Sequence, residues 1–283
     1  LSSILGDIAI HFKIDKGDLI KIRDELERRR KILINRSYDN SFPMKPSERI
    51  RTQALLERCE SPSKPGDIPT LIKQFCVSVF SYAPIRKYLS SRLLRDDVPT
   101  RDTIAQALYR VFNQDEFLDD SNWLPESLGK LAETIQKKNK YDLSRKKFQP
   151  RIISVLLSGT VKLSQELIDG IDSFYNRISN VTQPHDMWKL VNDFSAPIKQ
   201  VGPALICDFF KEIGFTRYVK VDHHFKKEFP KLVISRGSCK LNPKQSFILS
   251  QEIADAVCMT PFHLDSILYL WGRYGNDLYC GKT

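Results

Sequence analysis

The stretch Phe194-Ser-Ala-Pro-Ile-Lys199-Gln-Val-Gly202-Pro-Ala-Leu-Ile-Cys-Asp-Phe-Phe-Lys-Glu-Ile-Gly214-Phe-Thr-Arg-Tyr-Val-Lys220-Val-Asp222-His-His-Phe-Lys-Lys227 reads as a helix end, a tight turn, a second helix, a connector and an acid. Ahead of the turn, Met187, Leu190, Val191 and Phe194 fall at i, i+3, i+4 and i+7, one apolar face of a short amphipathic helix. Past it, Leu205, Ile206, Phe209, Phe210 and Ile213 repeat such a face, and Gly214 is a natural C-terminal stop. Between the two, Gly202 offers backbone freedom and Pro203 fits the first turn of the second helix. The spacing predicts two helices that meet at a compact turn with outward-facing backbone N–H groups.

A turn that opens a helix is a site for an anion, because the first amides lack internal partners and the helix dipole favours negative charge. Twenty residues past Gly202 stands Val221-Asp222-His223-His224, an acid between an apolar connector and another amphipathic stretch. Taken singly the pieces are ordinary: such turns occur in many helical proteins, Asp222 fits a helix N-cap, and His223 and His224 fit surface or core histidines. Together, at this spacing, they resemble the helix-hairpin-helix DNA glycosylase superfamily, whose signature is a Val-Gly hairpin, an amphipathic helix and Val-Asp-X-His. The resemblance implies a hairpin on Gln200, Val201, Gly202 and Pro203, next to Lys199, whose main-chain amides hold a phosphate of double-stranded DNA. It implies that Asp222 is the catalytic carboxylate of N-glycosidic bond cleavage, and it puts His224 on the family's frequent histidine, as a DNA-binding residue.

The chain also departs from the family. Gln200 stands where many members have glycine, which puts the local hairpin conformation in question. Members that also cut the strand carry a lysine two residues after the second hairpin glycine; here that residue is Ala204, and Lys199 comes too early to replace it. The resemblance thus implies a monofunctional enzyme without lyase activity. Some relatives hold an iron–sulfur cluster on four closely spaced cysteines, but Cys239, Cys258 and Cys280 are three and widely spaced, so no metal or other cofactor is expected.

Forty-four Lys and Arg against 34 Asp and Glu give a formal net charge of +10 in 283 residues, enough chain for one large or two modest domains. That charge suits a polyanionic partner, since phosphate neutralisation and counterion release dominate non-specific nucleic-acid affinity, although it also fits a membrane surface. The six cysteines, at 59, 76, 207, 239, 258 and 280, form no C-x-x-C pair and have no histidine at zinc spacing, which fits reduced, intracellular thiols. No run of 18 apolar residues occurs, and no charged segment with a long apolar core opens the chain. These features predict a soluble cytoplasmic monomer associated with DNA and not with membrane. The chain opens on Leu1, as one trimmed at its start would.

In order, the periodicity predicts helices over 18–33, 48–60, 68–80, 85–94, from Thr100, over 126–138, 150–158 and 164–178. Beyond Asp222 it predicts helices over 225–232, from Asn242-Pro243 and from Thr260-Pro261. Loops are expected at 35–46, at the acidic 115–122 and at 236–238. Arg28-Arg29-Arg30-Lys31 closes the first helix, where positive charge suits the dipole, as a solvated end or a DNA contact. The most basic segment, 137–147, carries Tyr141 and fits either a backbone-following loop or an ordinary linker. No strand-like alternation of useful length appears, so the class is all-α. The resemblance implies a two-lobed fold: residues 1–66 with 236–283 in one lobe, 67–235 with the hairpin (about 186–213) and the acid in the other, and a substrate cleft between them.

On this reading a damaged or modified base is flipped out of the duplex, and Asp222 stabilises the positive charge that develops on the sugar as the glycosidic bond lengthens. The setting is base-excision repair or defence against modified phage DNA. Phe80, Tyr82, Trp123 and Trp188 are candidates for the base pocket or the core. Two rivals stay open: a non-catalytic helix-hairpin-helix DNA-binding protein, and a basic helical adaptor without DNA affinity.

Overall fold

A computed structural model describes residues 14, 16–79, 155, 158–159, 162–163, 165–233 and 241–279. The chain is all-α, with no strand among the described residues. In order, the helices are α1 (Lys16–Tyr38), α2 (Pro46–Thr52) continued by a π-helical turn (Gln53–Glu57), α3 (Ile68–Val79), α4 (Ile171–Ser179) and α5 (Pro184–Ser195). They continue with α6 (Pro203–Glu212), α7 (His223–Val233), α8 (Pro243–Ala256) and α9 (Pro261–Tyr279). The helices expected over 85–94, from Thr100 and over 126–138, the loops at 115–122 and 236–238, the basic segment 137–147, and Phe80, Tyr82 and Trp123 lie outside the described residues.

Local chemistry sets the ends. Asn242 caps α8 by accepting from the Gln245 amide at 2.9 Å while Gln245 reaches back to the Asn242 amide at 3.0 Å, a reciprocal capping box. Thr260 accepts from the His263 amide at 3.2 Å ahead of Pro261. Two expectations are corrected. The first helix does not stop at residue 33: it runs on to Tyr38, because Leu33 and Ser37 continue the buried stripe of Ile22, Leu26 and Arg29. The loop that follows is closed by Arg49, whose guanidinium donates to the carbonyls of Met44 at 2.9 Å and Phe42 at 2.5 Å and also to that of Asp39. The helix expected over 164–178 is broken at Gly170, whose φ of +87° is the left-handed region that glycine enters freely, and α4 starts only at Ile171.

The chain divides into two compact units, Leu1–Pro62 with Gly214–Thr283, and Ser63–Ile213. In the first, α9 is the central helix: α7, α8, α1 and the π-helical turn pack on it. Leu264, Ile267, Leu268 and Trp271 of α9 are buried, together with Phe225 and Phe229 of α7, whose rings lie 4.7 Å apart. The division therefore falls at 213/214 and not at 235/236. The reason is α7, whose apolar face closes on α9 and α1 and draws the chain from Gly214 onward with it.

The second unit is built on phenylalanine. Phe75 of α3, Phe174 of α4, Phe194 of α5, and Phe209 and Phe210 of α6 are all buried, with ring centroids 5.2 Å apart for Phe75–Phe209 and 5.4 Å for Phe194–Phe210. Each such side chain contributes roughly 1.5–3 kcal/mol by leaving water. Cys207 is fully buried beside them as a small apolar group. Tyr175 ties the segment ahead of α3 to α4 by donating to the Pro65 carbonyl at 2.8 Å, and burial pushes its phenol up to about 12.

Candidate functional site

The hairpin helices form as the periodicity predicts. Met187, Val191 and Phe194 of α5 and Ile206, Phe209 and Phe210 of α6 turn inward, and Gly214 ends the second helix at φ +92°. The connection 196–202 is drawn tight by two bonds, from the Ile198 amide to the Ser195 carbonyl at 2.9 Å and from the Val201 amide to the Ile198 carbonyl at 3.2 Å. Ile198 and Val201 anchor the turn in the core, whereas Lys199, Gln200 and Gly202 are exposed.

The glycine reading is corrected within this turn. Gly202 is the N-cap of α6 with φ −91° and ψ 170°, a conformation open to any residue, and nothing lies within 4 Å of where a Cβ would stand. The left-handed position is Gln200, at φ +64°. Gln200 therefore takes the conformation that glycine would adopt freely, at a cost of about 1 kcal/mol for an L-residue. Neither backbone geometry nor packing calls for glycine at 202; what its missing side chain leaves is open space in front of the backbone.

The donors of the turn are partly used. The Lys199 amide donates to the Ser158 hydroxyl at 3.1 Å and the Leu205 amide to the Gly202 carbonyl at 3.0 Å. Pro203 has no N–H, no side chain among the described residues caps α6, and its first turn holds no acid. The amides of Gln200, Gly202 and Ala204 have no partner among the described residues. Ser158 lies 41 residues from Lys199, and a contact at that distance leaves no local pattern in the sequence.

Asp222 lies in the other unit, at the head of α7. Its Oδ1 accepts from the Phe225 amide at 3.0 Å and its carbonyl from the Lys226 amide at 2.9 Å, so it caps the helix. The connector in front of it is pinned to the start of α9. The Phe262 amide donates to the Thr216 carbonyl at 2.9 Å, and the Lys220 amide to Oδ2 of buried Asp265 at 3.4 Å, while Tyr218, Val219 and Val221 fill the core. The Asp222 amide then folds back on the Lys220 carbonyl at 2.7 Å. Asp222 is thereby held at a fixed, partly exposed corner, and Oδ2 carries no partner among the described residues.

His224 faces α9: its ring meets Tyr269 edge-on at 5.4 Å, and its Nδ1 is buried with no hydrogen-bond partner. Gly272 makes room for it, since a Cβ there would stand 3.0 Å from both Cβ and Nδ1 of His224. One edge of this imidazole is thus a packing surface. Trp188 sits half-buried on α5. The described residues include no group of His, Cys, Asp and Glu arranged to hold a metal ion, and no helix long and apolar enough to cross a membrane.

The sequence patterns also left an internal ion cluster unseen. Arg29, from the basic run closing α1, is buried between Glu25 at 2.7 Å and Glu228 of α7 at 3.5 Å, with its guanidinium 5.0 Å from the Trp271 ring centroid. Comparison with family models, with curated proteins and with solved structures returns no match.

Proposed function

We propose that the chain is a DNA glycosylase of the helix-hairpin-helix type. It binds a DNA phosphate at the 199–204 turn and uses Asp222 to cleave the N-glycosidic bond of a flipped-out damaged or modified base. The observation that carries the reading is the start of α6, uncapped among the described residues: amides of Gln200, Gly202 and Ala204 with no partner there, an exposed Lys199, and a glycine required by neither its φ nor its neighbours. Glycine in such a place suits close approach of a ligand to backbone, and amides at a helix start suit phosphate.

For the chemistry, Oδ1 of Asp222 is fixed by the Phe225 amide and Oδ2 is left to face the reacting sugar. A carboxylate oriented in advance stabilises the developing positive charge without reorganising, and it can take a proton from the attacking water. With Ala204 at the position where strand-cutting relatives carry lysine, the product is an abasic site in an unbroken strand.

The cap also favours a second reading, a DNA-binding protein in which Asp222 only starts α7. The two separate cleanly, because Asn is as good an N-cap as Asp. If Asp222 is catalytic, Asp222→Asn keeps stability and duplex affinity but abolishes release of free base from duplexes carrying a panel of damaged and phage-type bases. If it is only a cap, Asp222→Asn changes nothing and Asp222→Ala costs about 1 kcal/mol of stability. Base release by Asp222→Asn at the wild-type rate sinks the catalytic assignment.

A further inference from the structure

The exposed face of α7 carries His223, Lys226, Lys227 and Lys231, running down the helix from the Asp222 cap. A period of 3.6 residues puts these on one side, opposite the buried Phe225, Glu228, Phe229 and Val233. Lys231 is paired with Glu228 at 2.7 Å, but Lys226 and Lys227 meet no acid among the described residues. Several exposed cations elsewhere are compensated, Lys21 by Asp18, Arg23 by Asp24, Arg28 by Glu25, Arg58 by Glu60 and Lys189 by Asp193, whereas exposed Lys16, Lys31, Lys45 and Lys199 stand singly, and Lys226 and Lys227 are adjacent. The two lysines also stand near the N-terminal, positive end of the helix dipole, with no acid in the first turn beyond the Asp222 cap itself. Adjacent like charges set against a dipole destabilise the free protein and are relieved by a bound polyanion.

We infer that this face is a docking strip for the phosphate backbone of double-stranded DNA, in which Lys226 and Lys227 neutralise phosphates and His223 adds a donor next to Asp222. That the strand is DNA rests on the function proposed above; that the ligand is a polyanion rests on the charges. An anionic lipid surface fits less well, because a membrane-lying helix shows apolar residues beside its cations, whereas Phe225, Phe229 and Val233 are all buried. A protein partner likewise needs apolar anchors at the centre of its contact.

The test is the affinity of the full chain for a short labelled duplex across a salt series, for wild type, Lys226→Gln/Lys227→Gln, and a control on α1, Lys21→Gln/Arg23→Gln, which removes the same formal charge. Each phosphate released from contact lowers the slope of log affinity against log salt by ~0.9, so the α7 double variant is expected to lose about 1.8 and to bind at least tenfold more weakly at low salt. The control keeps the wild-type slope. An unchanged slope for the α7 variant overturns the strip, as does wild-type binding to vesicles of anionic phospholipid without binding to the duplex. The two proposals fail separately. Absent base release with the slope lost on α7 removes the glycosylase and keeps the strip; base release with the slope intact does the reverse.

Discussion

Helices α1 and α7 are both rich in cations and both face α9, yet they handle charge in opposite ways. On α1, Lys21, Arg23, Arg28 and Arg30 each pair with an acid one to three residues away, only Lys16 and Lys31 at separate places on the helix lack such a partner among the described residues, and the one arginine on the inner face, Arg29, is buried in an ion cluster. On α7 the acid is on the inside: Glu228 is buried against Arg29, while Lys226 and Lys227 stand outside with no acid partner among the described residues. A high count of basic residues is therefore a poor guide to a polyanion site. What matters is whether local acids have already neutralised them, since exposed pairs of this kind stabilise by no more than about 1 kcal/mol but remove the free charge.

The largest effect is expected where the two helices meet. Arg29→Met leaves Glu228, 4% exposed, with Lys231 as its remaining cation and should cost about 3 kcal/mol, whereas Arg29→Met with Glu228→Met should recover most of it. Urea unfolding midpoints decide; a single variant as stable as wild type would mean the pair plays no part in docking α7. Next in size is Gly272→Ala, whose Cβ would press on His224 and stand 3.3 Å from Glu228 Cγ. Overpacking of roughly 1–3 kcal/mol outweighs the gain of about 1 kcal/mol from alanine in a helix, so the melting temperature should fall. A rise would show that α7 is free to shift on α9.

The smallest effect comes from acid, which should make α1 more like α7. Hydrogen bonding from Arg28, followed by that from Arg29, pulls the Glu25 carboxyl from its ordinary 4.5 down to about 2 against the opposing effect of burial. A carboxyl depressed in the folded state adds stability that is complete above about 4.5 and is lost as pH falls toward 2. Stability measured across that window should decline less steeply in Glu25→Gln than in wild type. Identical slopes would show that the α1 arginines are not held by this carboxylate.

The helices themselves were legible wherever an apolar stripe coincided with a cap or a stop. Pro203 at the start of α6 and Gly214 at its end, Asn242 with Gln245, and Thr260 ahead of Pro261 each act within one turn, so the sequence around them contains the whole interaction. The ends that were misplaced, Tyr38 and Ile171, depend on where burial continues and where the chain turns. At the candidate site the turn and the acid were readable, but the roles of individual residues were not. Gln200, and not Gly202, takes the left-handed conformation, because Ile198 and Val201 must both reach the core from one short turn. His224 gives an edge to α9 because Gly272 happens to face it.

By itself the sequence determined an all-α chain, the pair of helices around Gly202, and an acid at the head of the next helix, since periodicity and capping are local physics. Only the tertiary structure decided that α7 belongs with α9, that Arg29 is buried, and that among the described residues Lys226 and Lys227 meet no acid and some amides of the turn have no partner. Those outcomes rest on partners such as Glu228 and Ser158, which lie 199 and 41 residues from the groups they hold. Contacts at that distance are chosen by packing, and no stretch of sequence contains them.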